Sequence, residues 1–240
     1  MSVHRSHPYA SSRRRSTNTK LVGLLDSPYV RRLAIALQLM DVDFEHVPLS
    51  VFSHYHEFAQ INPVVKAPTF VCDSGDVLMD SGLIIQYASV VSRNAWSAIP
   101  NGRKQRAMYL RLESLALAVM EKSIQLVLED FLRPPEKRHS PWLIRVGIQL
   151  TEALDQLEAA LRLHQWNFRD KPPALPEVSS AVAWTFCKRM VPTMIETQNH
   201  PVLDTLAAEA ELLECFRRAP HSTLKFPVDA EISGVHNVEV

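Results

Sequence analysis

The sequence predicts two domains, an α/β unit built on a mixed four-stranded sheet and an all-α unit after it. Three observations predict this. An apolar strand runs into an amphipathic helix through a Ser-Pro turn at Ser27-Pro28, a Ser-Gly hairpin signal joins two short apolar runs near residue 75, and helical apolar stripes punctuated by prolines fill the second half.

Each element is justified in turn. Residues 20–25 are a short apolar run that suits a buried strand. Pro28 has a fixed φ that suits the first helical position, and Val30, Leu33, Ala34, Leu37 and Met40 then recur on one helical face. Phe44-Glu45-His46-Val47-Pro48 alternates like a strand, so strand, helix and strand form a βαβ unit whose right-handed crossover makes the two strands parallel. A loop and short helix are expected over residues 53–60. Thr69-Phe70-Val71-Cys72 and Val77-Leu78-Met79 are then read as strands joined by Asp73-Ser74-Gly75-Asp76, and the helix from Ser81 to Val91 carries Leu83, Ile84, Tyr87, Ala88 and Val91 on one face. The order βαβ then ββα is that of a thioredoxin-like domain.

Pro100-Asn101-Gly102 breaks the pattern as a linker. A long helix follows from Arg103 to about Leu132, and the next carries Leu143, Val146, Leu150, Leu154, Leu157 and Leu161 as its stripe. Helices over 177–191 and 201–217 complete the second domain. The expected division is 1–19 disordered basic extension, 20–92 α/β domain, 93–102 linker, 103–228 helical domain and 229–240 tail.

Composition narrows the class. The chain has 240 residues, 46% of them hydrophobic, enough to fill a sizeable core. Net charge is zero, but Arg5, Arg13, Arg14, Arg15 and Lys20 stand among the first twenty residues without an acid, so the remainder carries an excess of five acids. A mildly acidic body argues against a nucleic-acid partner. Cys72, Cys187 and Cys215 make no CxxC pair, which suits a reducing, cytoplasmic compartment. No metal site is expected, because His54 and His56 have no further ligands at zinc-like spacing. No apolar run reaches the ~18 residues of a membrane span, so no membrane partner is expected.

The chemistry points to the Ser-Pro turn. Ser27 places a hydroxyl at a helix N-terminus, where peptide dipoles favour an anion; a serine there also serves commonly as an N-cap. Lys66-Ala67-Pro68 follows, with Pro68 lying 41 residues beyond Ser27, and Asp80-Ser81 opens a helix with Ser81 13 residues beyond Pro68. These three landmarks, in this order, resemble the glutathione transferase superfamily over residues 20–228, in particular its serine-type bacterial members.

The resemblance implies the GST fold, glutathione as co-substrate, a small apolar electrophile as the second substrate and a homodimer. It implies that Ser27 stabilises the glutathione thiolate and that Pro68 follows a cis peptide that turns the Ala67 backbone toward the cysteinyl unit. It also implies that Lys66 reaches the glycyl end with His54 nearby, and that Asp80 and Ser81 hold the γ-glutamyl end. Serine, unlike cysteine, cannot form a mixed disulfide, so Ser27 points to conjugation or hydroperoxide reduction. By the same resemblance Tyr29 faces away from the site and packs. The long helix would floor the acceptor pocket, where Arg106, Tyr109 and Glu113 share a stripe that also suits a solvated or subunit-facing surface. One departure is Ala174-Leu175-Pro176-Glu177, where the family has a Ser/Thr-x-x-Asp box. A second reading is a non-catalytic glutathione-binding or regulatory protein on the same fold.

Overall fold

The computed structural model describes residues 18–96 and 99–221. Its sheet has the order β2-β1-β3-β4, with β1 (Lys20–Val22) parallel to β2 (Glu45–Val47) and antiparallel to β3 (Thr69–Val71), which pairs antiparallel with β4 (Val77–Met79). This is the mixed four-stranded, thioredoxin-like sheet expected, with strands shorter at their ends than the apolar runs that announced them. Gly23 shows why β1 stops at Val22. Its φ is +139°, and a Cβ there would stand 2.7 Å from Val30 and 3.1 Å from Ala67, so glycine lets β1, helix α1 and the Pro68 loop converge.

Helix α1 (Pro28–Leu39) buries Val30, Leu33, Ala34 and Leu37 as its periodicity requires. Helix α2 (Tyr55–Ile61) covers the other sheet face, where Phe58 packs with Val22 and Leu49. Helix α3 (Ser81–Val91) departs from expectation. Ile84, Ile85 and Ala88 face the core, while Leu83, Tyr87, Val90 and Val91 stay exposed, so the predicted stripe divides between two faces.

The second domain is built around the 30-residue α4 (Arg103–Leu132), flanked by α5 (Ser140–Arg162) and α6 (Leu175–Met190). The stripe of α5 is buried from Val146 to Leu161. The last expected helix is two: α7 (Pro201–Glu211) ends, Leu213 turns extended at ψ 145°, and α8 (Glu214–Arg217) resumes in a new direction that sinks Phe216 beneath α1. At α6, Ala174 has no side-chain acceptor to cap with, yet half of the capping box survives. Glu177 accepts the Ala174 N–H at 2.7 Å and lies 2.8 Å from His164 Nε2.

The two domains share one continuous apolar core, from Leu21 in β1 to Ala219 at the chain's far end. The joining segment is anchored rather than loose: Ser92 donates to the Met40 carbonyl, Asn94 to the Leu39 carbonyl and Trp96 to the Pro173 carbonyl. Of the expected extension, residues 1–17 lie outside the described residues. Asn18 and Thr19 do not belong with it, because both donate to Asp73 and the Thr19 carbonyl takes the Glu45 N–H.

Two consecutive arginines on α1 fasten it to the helical domain, and each is 1% exposed. Arg31 forms a bidentate pair with Glu211 at 2.7 Å for both contacts, donates to the Ala219 carbonyl and to His221, and lies 5.4 Å over the Phe216 ring. Arginine can only donate, so His221 Nε2 accepts from it at 2.7 Å, and burial lowers the pKa of the imidazole. Burial alone would raise the Glu211 carboxyl, but His221 beside it and the two hydrogen bonds and charge of Arg31 outweigh burial and hold the pKa at about 2.

Because that pKa is lower in the folded chain, the unfolded chain takes up the proton first on acidification. The stabilisation is present above about 4.5 and is lost as pH falls toward about 2. We therefore expect Glu211→Gln to lower the melting temperature at pH 7, with the gap to wild type closing as pH falls through this window. Thermal melts across pH 7 to 2 check it; a constant gap would show that the carboxylate charge is not what Arg31 needs.

Candidate functional site

A cavity of about 470 Å³ opens where the α/β domain meets α4. Its α/β wall begins with the loop before β3. Asn62 accepts the Val64 N–H and Thr69 donates to the Lys66 carbonyl, while the Asn62 amide donates to Thr69 at 2.8 Å. These bonds hold Val65 at φ 51°, a left-handed conformation costing roughly 1–3 kcal/mol for a non-glycine residue, and lead into the cis Ala67–Pro68 peptide. Lys66, Ala67 and Pro68 line the cavity as a result.

The start of α3 completes this wall. Asp80, also left-handed at φ 74°, accepts the N–H groups of Gly82 at 2.8 Å and Leu83 at 3.2 Å through one carboxylate oxygen, Oδ1. That caps the helix and leaves Oδ2 for a ligand. Ser81 is buried, and its Oγ accepts from Arg32 Nη1 at 2.6 Å. Its own O–H proton is therefore turned away from Arg32 and available to donate.

Arg32 is the group that sequence reasoning missed. Its Nε donates to Ser179 at 3.0 Å and its Nη2 pairs with Glu113, while Ser179 donates to the same Glu113 oxygen at 3.1 Å. One guanidinium thus joins α1, the start of α3, α4 and α6, and it is itself one of the cavity's lining groups. The only signal in the sequence was a second arginine directly after Arg31, in a helix otherwise apolar on most sides. Burial raises the Glu113 pKa, opposed by Arg32 and Ser179, and its Oε2 is buried without a hydrogen-bond partner among the described residues.

The opposite wall is a different stripe of α4 from the one expected. Ser114, Leu117, Ala118 and Glu121 line the cavity; Arg106, Tyr109 and Glu113 do not. Arg106 is exposed and bonded to the Pro100 carbonyl, Tyr109 is half-buried with its phenol pushed up by burial and then by Glu113, and Glu113 faces Arg32.

Three residues sit differently from the expectation. His54 is exposed at the start of α2, its Nδ1 3.3 Å from the Ser50 amide nitrogen and 3.0 Å from Ser53 Oγ, and it does not line the cavity. Ser27 is the N-cap of α1, accepting the Val30 N–H at a long 3.5 Å, and stands beside the cavity rather than among its lining residues. Tyr29 lines the cavity, which corrects the reading that it faces away. Among the described residues no group of three or more His, Cys, Asp or Glu side chains is placed to hold a metal, and no helix is long and apolar enough to cross a membrane.

A thioredoxin-like domain whose cis-proline loop and helix N-terminus open on a helical second domain defines a class of two-domain proteins. Residues 21–90 match the family model described as glutathione S-transferase, N-terminal domain. The chain is 30% identical over 142 residues to the uncharacterized GST-like protein YibF of Escherichia coli K12, spanning 59% of this chain and 69% of that protein. The chain belongs to the glutathione S-transferase superfamily. A glutathione transferase family member from Pseudomonas fluorescens Pf-5, solved with bound glutathione, superposes with a TM-score of 0.72 at 27% identity, covering 85% of this chain and all of that one. A glutathione S-transferase from Methylobacillus flagellatus KT shares the fold at TM-score 0.75 and 19% identity, with coverage of 85% and 100%.

Removing one partner of a buried, hydrogen-bonded pair strands the other charge, at a cost of about 3–5 kcal/mol. Arg32→Met should therefore destabilise the protein by an amount of that order in urea unfolding. Adding Glu113→Leu should recover part of the loss, since the stranded carboxylate goes with it. Equal stability of the single variant and wild type would mean that the pair holds nothing together.

Proposed function

We propose that the protein is a cytoplasmic glutathione transferase that binds the tripeptide in this cavity and activates its thiol with Ser27, for conjugation to a small electrophile or for hydroperoxide reduction. The observation that carries the reading is the pairing of an Ala67 backbone, presented beside Pro68, with the α3 N-terminus across one cavity. In this reading the Ala67 main chain pairs with the cysteinyl backbone like an added strand. Ser81 donates to the γ-glutamyl carboxylate, which the α3 dipole also favours, and Asp80 Oδ2 receives the ligand's amine. Lys66, exposed at the rim, reaches the glycyl carboxylate.

The thiol then points toward the start of α1. Lowering its pKa from ~8.5 by roughly two units needs about 2.7 kcal/mol of differential stabilisation. A hydroxyl bonded to the thiolate supplies ~1.5–3 kcal/mol and a helix N-terminus ~0.3–1 kcal/mol more. Ser27 offers both, since Val30 occupies one of its lone pairs and its O–H is left to donate.

A homodimer fits the exposed face of α3. Leu83 is 61% and Val90 82% exposed, and with Tyr87 and Val91 they form a stripe at i, i+4, i+7 and i+8 that a second copy would cover. Leu83→Lys with Val90→Lys should convert a dimer to a monomer of 27.2 kDa in light scattering; an unchanged mass would place any dimer interface elsewhere.

The position of Ser27 beside the cavity favours a second reading, a glutathione-binding protein without turnover. One pair of variants separates them. Ser27→Ala should raise the thiolate pKa of the glutathione complex, followed by ultraviolet absorbance, and lower conjugation while affinity stays within a few-fold. Ser81→Ala should instead weaken glutathione binding by about one to two decades in calorimetry. Binding by wild type with an ordinary thiol pKa and no conjugation or peroxidase turnover would select the second reading.

A further inference from the structure

The cavity has two unlike walls. The α/β side is polar, with Lys66, Asp80 and Ser81, whereas α4 offers Leu117 and Ala118 with Glu121 at the rim. Tyr29 stands where they meet. Tyr29 lines the cavity together with Arg32, Asp80 and Glu121, and the charges of all three act on its phenol. Burial pushes this phenol up to about 12, with Glu121 adding to the rise, so at neutral pH it is a protonated donor. No side chain or carbonyl among the described residues is placed to accept its proton. A half-buried hydroxyl in that state favours a ligand that brings an acceptor.

We infer that Tyr29 is an electrophile-activating residue and that the preferred second substrate is a neutral α,β-unsaturated carbonyl compound. The inference rests on glutathione occupying the polar wall, as set out above. In the step, the thiolate sulfur forms a bond to the β-carbon, the C=C π pair moves through the conjugated system to the carbonyl oxygen, and the resulting enolate oxygen accepts a hydrogen bond from Tyr29. The α-carbon then takes a proton from water, which balances the proton released when the thiol ionised. Leu117 and Ala118 bound the hydrocarbon part. Glu121 disfavours an electrophile that carries its own carboxylate. A displacement at a benzyl halide develops no oxyanion, so it draws nothing from this hydroxyl.

The test compares wild type and Tyr29→Phe on a neutral enone and on a benzyl halide, each with glutathione, alongside titration of the bound thiol. Phenylalanine keeps the ring and its packing. Loss of one preorganised donor to a developing oxyanion should lower kcat/KM for the enone roughly 10- to 100-fold more than for the benzyl halide, with the thiolate pKa unmoved. An equal fall on both substrates would mean that Tyr29 only packs. A raised thiolate pKa would move its action to the sulfur, and a wild type that turns over the halide but not the enone would refute the substrate class; each overturns the inference and leaves glutathione binding intact. Failure of wild type to bind glutathione would sink the underlying reading instead, and this inference with it.

Discussion

Two buried guanidiniums on one helix are the constraint on which the rest of the structure depends. A helix that packs one face on a sheet normally sends its charged residues to water. In α1, Arg31 and Arg32 follow each other, about 100° apart around the axis, and both are covered by the helical domain. Burying each charge is costly by several kcal/mol unless it is fully paired, so the covering domain has to supply partners in fixed positions. Arg31 finds them in Glu211, the Ala219 carbonyl and His221; Arg32 finds them in Glu113, Ser179 and Ser81.

The division of labour between the two arginines links stability to the site. Arg31 ties the end of the helical domain to α1, through Glu211 at the end of α7, the Phe216 ring of α8 and the Ala219 carbonyl. Arg32 works at the cavity. By donating to Ser81 Oγ it orients the hydroxyl that opens α3, and by holding Glu113 it sets the rotation of α4, which brings Ser114, Leu117, Ala118 and Glu121 to the cavity. The floor of the cavity therefore depends on the same contact that joins the domains. Strain at Val65 and Asp80 is tolerated nearby because Asn62, Thr69 and the α3 amides bind the local backbone tightly.

Much of the fold was legible in the sequence because local chemistry and periodicity determine it. The βαβ-ββα order, the start of α1 at Pro28, the span of α3 and the full length of α4 were all readable from apolar spacing and proline punctuation. The cis peptide at Pro68 was legible only through the family pattern around it. Of the candidate site, the sequence landmarks Lys66, Ala67, Pro68, Asp80 and Ser81 line one cavity. His54 was placed there by analogy with a loop, and loops are where relatives diverge most.

What the sequence by itself determined is the set of elements and the residues at their termini, since capping, turns and amphipathic faces are interactions over a few residues. What only the tertiary structure decided is which of two adjacent faces each helix turns inward. Tyr29 enters the cavity, Glu113 leaves the α4 wall for Arg32, and Leu83 and Tyr87 stay outside while Ile84 and Ala88 go in. Each choice turns on a rotation of about 100°, one residue around a helix. A stripe wide enough to satisfy packing covers more than that angle. In α1 and α4 the rotation goes with the long-range pairing of buried charges, and partners such as Arg32 and Ser179, 147 residues apart, leave no periodic trace in the chain.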